Sequence, residues 1–189
     1  MPRDGQTETL DKTCLLPDLL ALTGASIAPL EQVFDLARER VRAMVSRDGR
    51  VSSDLLEEHQ SAAHGLAGVA TYVESLRQMQ NWATRLNEAG TFGETEALIH
   101  QIAFGEYLWQ VYGGIPMSQN EILRLQDCGL AQEDMRLLMT PEIMRLTQEG
   151  NTQAARTRLV DLMQEQAANA TVGTSGLDEE LEMIREQFR

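Results

Sequence analysis

Apolar residues recur at helical spacing along almost the whole chain, and that periodicity restricts the possible folds more than any other feature. The longest run opens at Ser53 and continues to about Asn87. There Leu55, Ala62, Leu66, Val69, Val73, Leu76, Ala83 and Leu86 keep to spacings of seven, four and three. Such a seam is covered by packing against antiparallel neighbours, so the spacing predicts an all-α fold, a helical bundle around one long central helix. Gly65 and Gly68 interrupt the seam. Each costs up to about 1 kcal/mol relative to Ala in a helix interior, which predicts that another helix comes close there. Tyr72, Met79 and Trp82 add a second apolar stripe and imply contacts on more than one side.

Turn chemistry divides the rest of the pattern. "PDLLALTG" reads as a short helix with Pro17 in its first turn and Gly24 at its stop; Ser26 and Pro29 then suit entry to a second helix reaching about Ser46. After the turn "RDGR" and the long helix, Thr91 and Glu94 have capping-box spacing, and Gly113–Gly114 ends the helix between them. Leu98, Ile99, Ile102, Phe104, Tyr107, Leu108, Trp109, Val111 and Tyr112 surround most of that helix, which is expected to lie deepest. Ser118 and Glu121 repeat the capping-box spacing ahead of a helix closed by Gly129. Shorter helices are expected over 131–139, 141–149 and 152–167, with Met135, Met139, Met144 and Met163 as core fillers or, alternatively, as a methionine-lined groove. "NATVGTSG" has no periodicity and reads as a linker. The final stretch restarts a helix, with Leu177, Leu181, Ile184 and Phe188 on one face and Ser175 or Gly176 as cap. The expected organisation is a flexible segment over 1–16, a helical domain over 17–168, a linker over 169–176 and a terminal helix over 177–189.

Charge narrows the partners. Acidic residues outnumber basic ones by 29 to 16, for a net charge of -13, so polyanions such as nucleic acids and anionic membrane surfaces are repelled on average. Arg38, Arg40 and Arg42 are spaced around a helix and read as a solvated face. The N-terminus lacks a signal-peptide core, and no uninterrupted apolar run approaches the roughly 18 residues of a membrane span, which leads to the expectation of a cytoplasmic protein. Cys14 and Cys128 lack CxxC spacing and signal neither a disulfide framework nor a metal site.

The search for chemistry yields candidates without a constellation. His59 and His64 sit five apart, about 140° around a helix of 3.6 residues per turn, and cannot easily share a metal. Glu96 and His100 share a face and read as a surface pair. "GTFGETE" and "GGIPMSQNE" lack phosphate-loop patterns and read as helix punctuation. Glu106, within "IAFGEYLWQV", has apolar neighbours that could raise its pKa, yet a glutamate hydrogen-bonded across helices or reaching out beside Gln110 is the simpler reading. No residue is assigned a catalytic, cofactor-binding or metal-binding role.

The segments "PDLLALTGASIAPLEQVFDLARERV", "DGRVSSDLLEEHQSAAHGLA", "YVESLRQMQNWA", "IAFGEYL" and "GGIPMSQNEI" resemble, in order, the amino-terminal extension of the (2S)-methylsuccinyl-CoA dehydrogenases, a branch of the flavin-dependent acyl-CoA dehydrogenases. Residues 177–189 resemble the first helix of the catalytic core of that family. The resemblance implies a parent enzyme that uses FAD to oxidise methylsuccinyl-CoA to mesaconyl-CoA in the ethylmalonyl-CoA pathway, with flavin site and catalytic glutamate downstream of Arg189. It transfers no catalytic role to any residue of this chain, and the expected role is to pack against the core and stabilise a homo-oligomer. Gly68 stands where the family pattern carries an aromatic residue, and Trp109 and Tyr112 stand where smaller ones are expected. The alternative is an independent acidic helical module for protein–protein interaction, which unequal helix lengths and the lack of a repeat period disfavour.

Overall fold

The computed structural model describes residues 14–167 and 178–187. Seven α-helices dominate the described residues: α1 (Leu19–Val45), α2 (Ser53–Glu58), α3 (Gln60–Glu88), α4 (Glu94–Gly113), α5 (Pro141–Arg145), α6 (Gln153–Gln166) and α7 (Glu179–Gln187). Two antiparallel pairs of two-residue strands punctuate them, β1 (Ser46–Arg47) with β2 (Arg50–Val51) and β3 (Ile115–Pro116) with β4 (Ile122–Leu123). The fold is an all-α bundle, as the periodicity predicts.

Its centre is the packing of α1 on α3 and of α3 on α4. From α1 come Leu30, Val33, Ala37 and Val41, from α3 Val69, Val73 and Leu76, and from α4 Phe104, Leu108 and Val111; all are buried together. A smaller cluster, Leu98 with Ala155 and Leu162, fastens α6 to the outside of α4. By length and composition α1 is apolar enough to cross a membrane, a reading the uninterrupted-run criterion does not give. In the bundle one face of α1 lines the core, and Asp35, Arg38, Glu39 and Arg42 lie exposed on the other.

Several local expectations are overturned by packing. The helix break expected between Gly24 and Pro29 is absent, and α1 runs through both. The stripe Leu19, Thr23, Ser26, Leu30 stays buried without interruption, and Gln80 of α3 donates a hydrogen bond to the Leu20 carbonyl at 3.1 Å, beside Gly24. Burial of a continuous face offsets a proline cost of about 3 kcal/mol. Conversely, the long helix expected from Ser53 is divided at His59 (φ -108°, ψ 26°). No residue of α2 is buried, so nothing holds it to the axis of α3.

The helix expected after Ser118 is replaced by the β3–β4 hairpin and a 3-10 turn over Leu125–Cys128. The Met117 and Ser118 amides both donate to the Glu121 carbonyl, at 2.9 and 3.3 Å, so this serine caps no helix. Here the glycines of α3 find their use, and it is the hairpin rather than a helix that approaches them. A Cβ on Gly65 would fall 2.2 Å from the Leu123 side chain, and one on Gly68 2.8 Å from Met117 Sδ. The capping box expected at Thr91 and Glu94 does not form: two positions on, Glu96 accepts the Gly93 amide at 3.1 Å, with no side chain at Gly93 to return the bond, while Thr91 donates to Leu86 O at 3.3 Å. The stretch expected as one helix over 141–149 is α5 followed by a π-helical turn, Leu146–Gly150, and 131–139 contributes a 3-10 turn, Asp134–Leu138.

Candidate functional site

Two neighbouring polar residues, His100 and Gln101, are wholly buried on α4. The geometry fixes the histidine's tautomer. Thr23 Oγ1 donates to Leu19 O at 2.9 Å, so its oxygen, 3.0 Å from His100 Nε2, accepts from that nitrogen, and Nδ1 is left without a partner. The Phe104 ring, 4.6 Å away, and the Phe92 ring, at 6.1 Å, complete the surroundings. Burial away from any counter-charge lowers the imidazole pKa to about 4. His100 therefore forms no surface pair with Glu96. Gln101 accepts from the Leu16 amide at 2.7 Å and donates to Cys14 O at 3.0 Å and Gly150 O at 3.1 Å. It thus satisfies backbone groups from two distant segments at once.

Glu106, the carboxylate with most chemical interest in the sequence, is half-buried in a chain of hydrogen bonds. Gln110 Nε2 donates to Oε1 at 2.5 Å and Asn151 Nδ2 to Oε2 at 2.6 Å. Tyr72 of α3 in turn donates to Gln110, and Arg156 of α6 donates to Asn151 Oδ1 at 2.7 Å. Burial raises the Tyr72 phenol above its ordinary value, and Tyr107 and Glu106 add to the effect. Both carboxylate oxygens are engaged, and no nucleophile adjoins them. The arrangement clamps α3, α4 and the start of α6, which is the cross-helix role the sequence suggests. Asn151 reaches α4 because Gly105 lets the chain in: a Cβ there would lie 2.8 Å from Asn151 N and 2.9 Å from Leu146 O.

The other candidates are dispersed. His59 is half-buried and His64 exposed. Arg38 pairs with Asp35 at 2.9 Å and lies over Phe34. Cys14 and Cys128 are free, and burial, assisted by Asp127, pushes the Cys128 thiol up to about 11, far from a reactive thiolate. No group of three or more potential ligands among the described residues could hold a metal. Neither of two open concavities among the described residues is lined by a basic side chain that would meet a flavin's pyrophosphate. One is lined by Ala70, Thr71, Glu74, Ser75 and Gln78, and the other lies along α7 with Glu179, Glu182 and Glu186 in its lining.

What the surface does offer is uncovered apolar area. On α7, Leu181 is 48% and Ile184 45% exposed, with Asp178 capping the helix by accepting the Leu181 amide at 2.9 Å. Leu177 and Phe188, expected on the same stripe, lie outside the described residues, as do the caps expected at Ser175 and Gly176 and the linker over 169–176. α4 is open on one flank at Ile99 and Trp109, contrary to its expected enclosure. Met163 and Met139 are exposed too; of the four methionines expected as fillers, Met135 is fully in the core and Met144 half-buried.

Fold and surface together define an all-α helical bundle with apolar side chains exposed on α4, α6 and α7. No family model matches the chain. It is 56% identical over 177 residues to (2S)-methylsuccinyl-CoA dehydrogenase of Cereibacter sphaeroides, a match covering 93% of this chain and 31% of that protein. The chain thus spans less than a third of the length of the curated relative it matches.

Proposed function

We propose that this chain is the leading helical module of an FAD-dependent acyl-CoA dehydrogenase acting on (2S)-methylsuccinyl-CoA in the cytoplasm. It packs against the catalytic core and stabilises a homo-oligomer, without itself handling substrate, nucleic acid or membrane. Residues 169–176 are its linker and 177–189 the opening helix of the core. The flavin, which accepts hydride in such enzymes, belongs to the remainder. One observation carries this reading: the match follows nearly all of this chain but only a minor part of the relative. The uncovered stripe of α7 supports it, since an isolated helix of fewer than about 12 residues is marginal in water and needs packing to persist.

Deleting the matched segment from the full-length Cereibacter protein tests the role. Loss of subunit assembly or a lower melting temperature is expected, with the flavin still bound to whatever core folds. Unchanged assembly and melting would refute a stabilising module.

A further inference from the structure

The bundle has two apolar clusters, and α6 belongs only to the smaller. Among the described residues no side chain of α6 enters the main core, to which α1, α3 and α4 all contribute. α6 buries Ala155 and Leu162 against Leu98 of α4, with Ile102 and Leu159 at the margin. Its polar ties to α4 lie at the surface: Gln166 donates to Thr95 at 3.2 Å, and Arg158 pairs with Glu94 at 2.8 Å. Ion pairs this exposed add little. A helix of 14 residues is marginal in water by itself, so α6 persists through that small contact.

The same cluster takes in the segment 14–16 ahead of α1. Cys14 packs on it, and Leu15 packs on both clusters. Gln101, wholly buried on α4, holds this segment with both ends of its amide: Oε1 accepts the Leu16 amide at 2.7 Å, and Nε2 donates to Cys14 O at 3.0 Å. Nε2 also donates to Gly150 O at 3.1 Å, just ahead of α6. Gly150 is seated on α4, where an added Cβ would fall 3.1 Å from Gln101 O. The division lies at this point, since Leu146 before it belongs to the main core and Ala155 after it to the small one. We infer that α6 and the segment 14–16 form one latch, caught by Gln101, that opens as a unit while α1, α3 and α4 stay packed. Opening gives up the small cluster and the Gln101 bonds and leaves the main core intact. Each half covers the cluster incompletely without the other, so loosening one loosens both. α6 is the last helix before residues 168–177, and the latch therefore governs where the chain leaves the bundle. It is a property of the bundle itself and does not rest on the function proposed above.

Native-state hydrogen exchange of the 189-residue chain in rising, sub-denaturing urea tests it. The amides inside α6 and the Leu16 amide should share one degree of protection and one shallow urea dependence, because the same small surface is exposed when they open. Their protection should lie about tenfold or more below that of Val69, Val73 and Leu76 in α3. Leu162→Ala, which touches only the α6 half, should speed exchange at Leu16 as well as in α6 by about tenfold or more, with α3 unchanged. Gln101→Leu should in turn speed exchange within α6, not at Leu16 alone. A Leu16 amide indifferent to Leu162→Ala would overturn the coupling. Protection of α6 equal to that of α3, or a Leu162→Ala chain that unfolds as a whole, would overturn the separate opening.

Discussion

Between neutral pH and about pH 5, acidification should destabilise this bundle through His100. In the native state the imidazole is wholly buried, its Nε2 donates to Thr23, and Thr23, Phe92 and Phe104 around it carry no charge. Its pKa is lowered from 6.5 to about 4. The unfolded chain therefore takes up a proton below pH 6.5 that the folded chain refuses until about pH 4. Stability is full above the unfolded pKa and falls by about 1.4 kcal/mol per pH unit between those two values. Between neutral pH and about pH 5 the loss is about 2 kcal/mol, a large part of a typical domain's total. Glu74 and Glu94, whose carboxyls are held below the usual range by hydrogen bonds from Gln78 and Arg158, add a loss of the same sign only below about pH 4.5. Urea unfolding followed by circular dichroism at both pH values, for the native chain and for His100→Gln, isolates the histidine. The variant should be less stable at neutral pH, yet should lose about 2 kcal/mol less on acidification. Equal losses in the two proteins, or an NMR titration of His100 near pH 6.5, would refute the reasoning.

Gly105→Ala should destabilise by about 1–3 kcal/mol in thermal melts, since the added methyl meets backbone atoms of Asn151 and Leu146 that cannot swing aside. Gln101→Leu would strand the Leu16 amide and the Cys14 and Gly150 carbonyls; hydrogen exchange at Leu16 should accelerate while exchange in the middle of α3 stays slow. Glu106→Ala should cost about 1–3 kcal/mol by unpairing Gln110 and Asn151, and in a full-length chimera, with this chain in place of the matched segment of the Cereibacter protein, should leave kcat unchanged at a temperature where the protein is folded.

The seam Val69, Val73, Leu76 and Ala83 is legible in the sequence because helical spacing alone sets it, and all four are buried on α3. Gly24 and Pro29 mislead because breaker rules weigh a local cost, whereas the face they interrupt is sealed by residues of α3 more than fifty positions away, Gln80 among them. Ser118 misleads for a related reason. The capping-box pattern is genuine as spacing, but the notch at Gly65 accepts Leu123 only if the chain turns as a hairpin. The Glu106 clamp is half legible: Gln110 lies one turn away on the same helix, while Asn151 and Tyr72 arrive through tertiary packing. Thr23 as partner of His100 leaves no local signal at all. Ile99 and Met163 read as core by their apolar character, yet both lie exposed in the bundle.

The proposed function requires that this domain work as part of a larger flavoenzyme. The most direct measurement is the mass and absorbance of the polypeptide recovered from its native cells with an antibody against residues 14–167. Under the proposed function the recovered chain is far longer than 189 residues, yellow with bound flavin, and oxidises (2S)-methylsuccinyl-CoA. A colourless 189-residue protein with no acyl-CoA dehydrogenase core recovered beside it would contradict it.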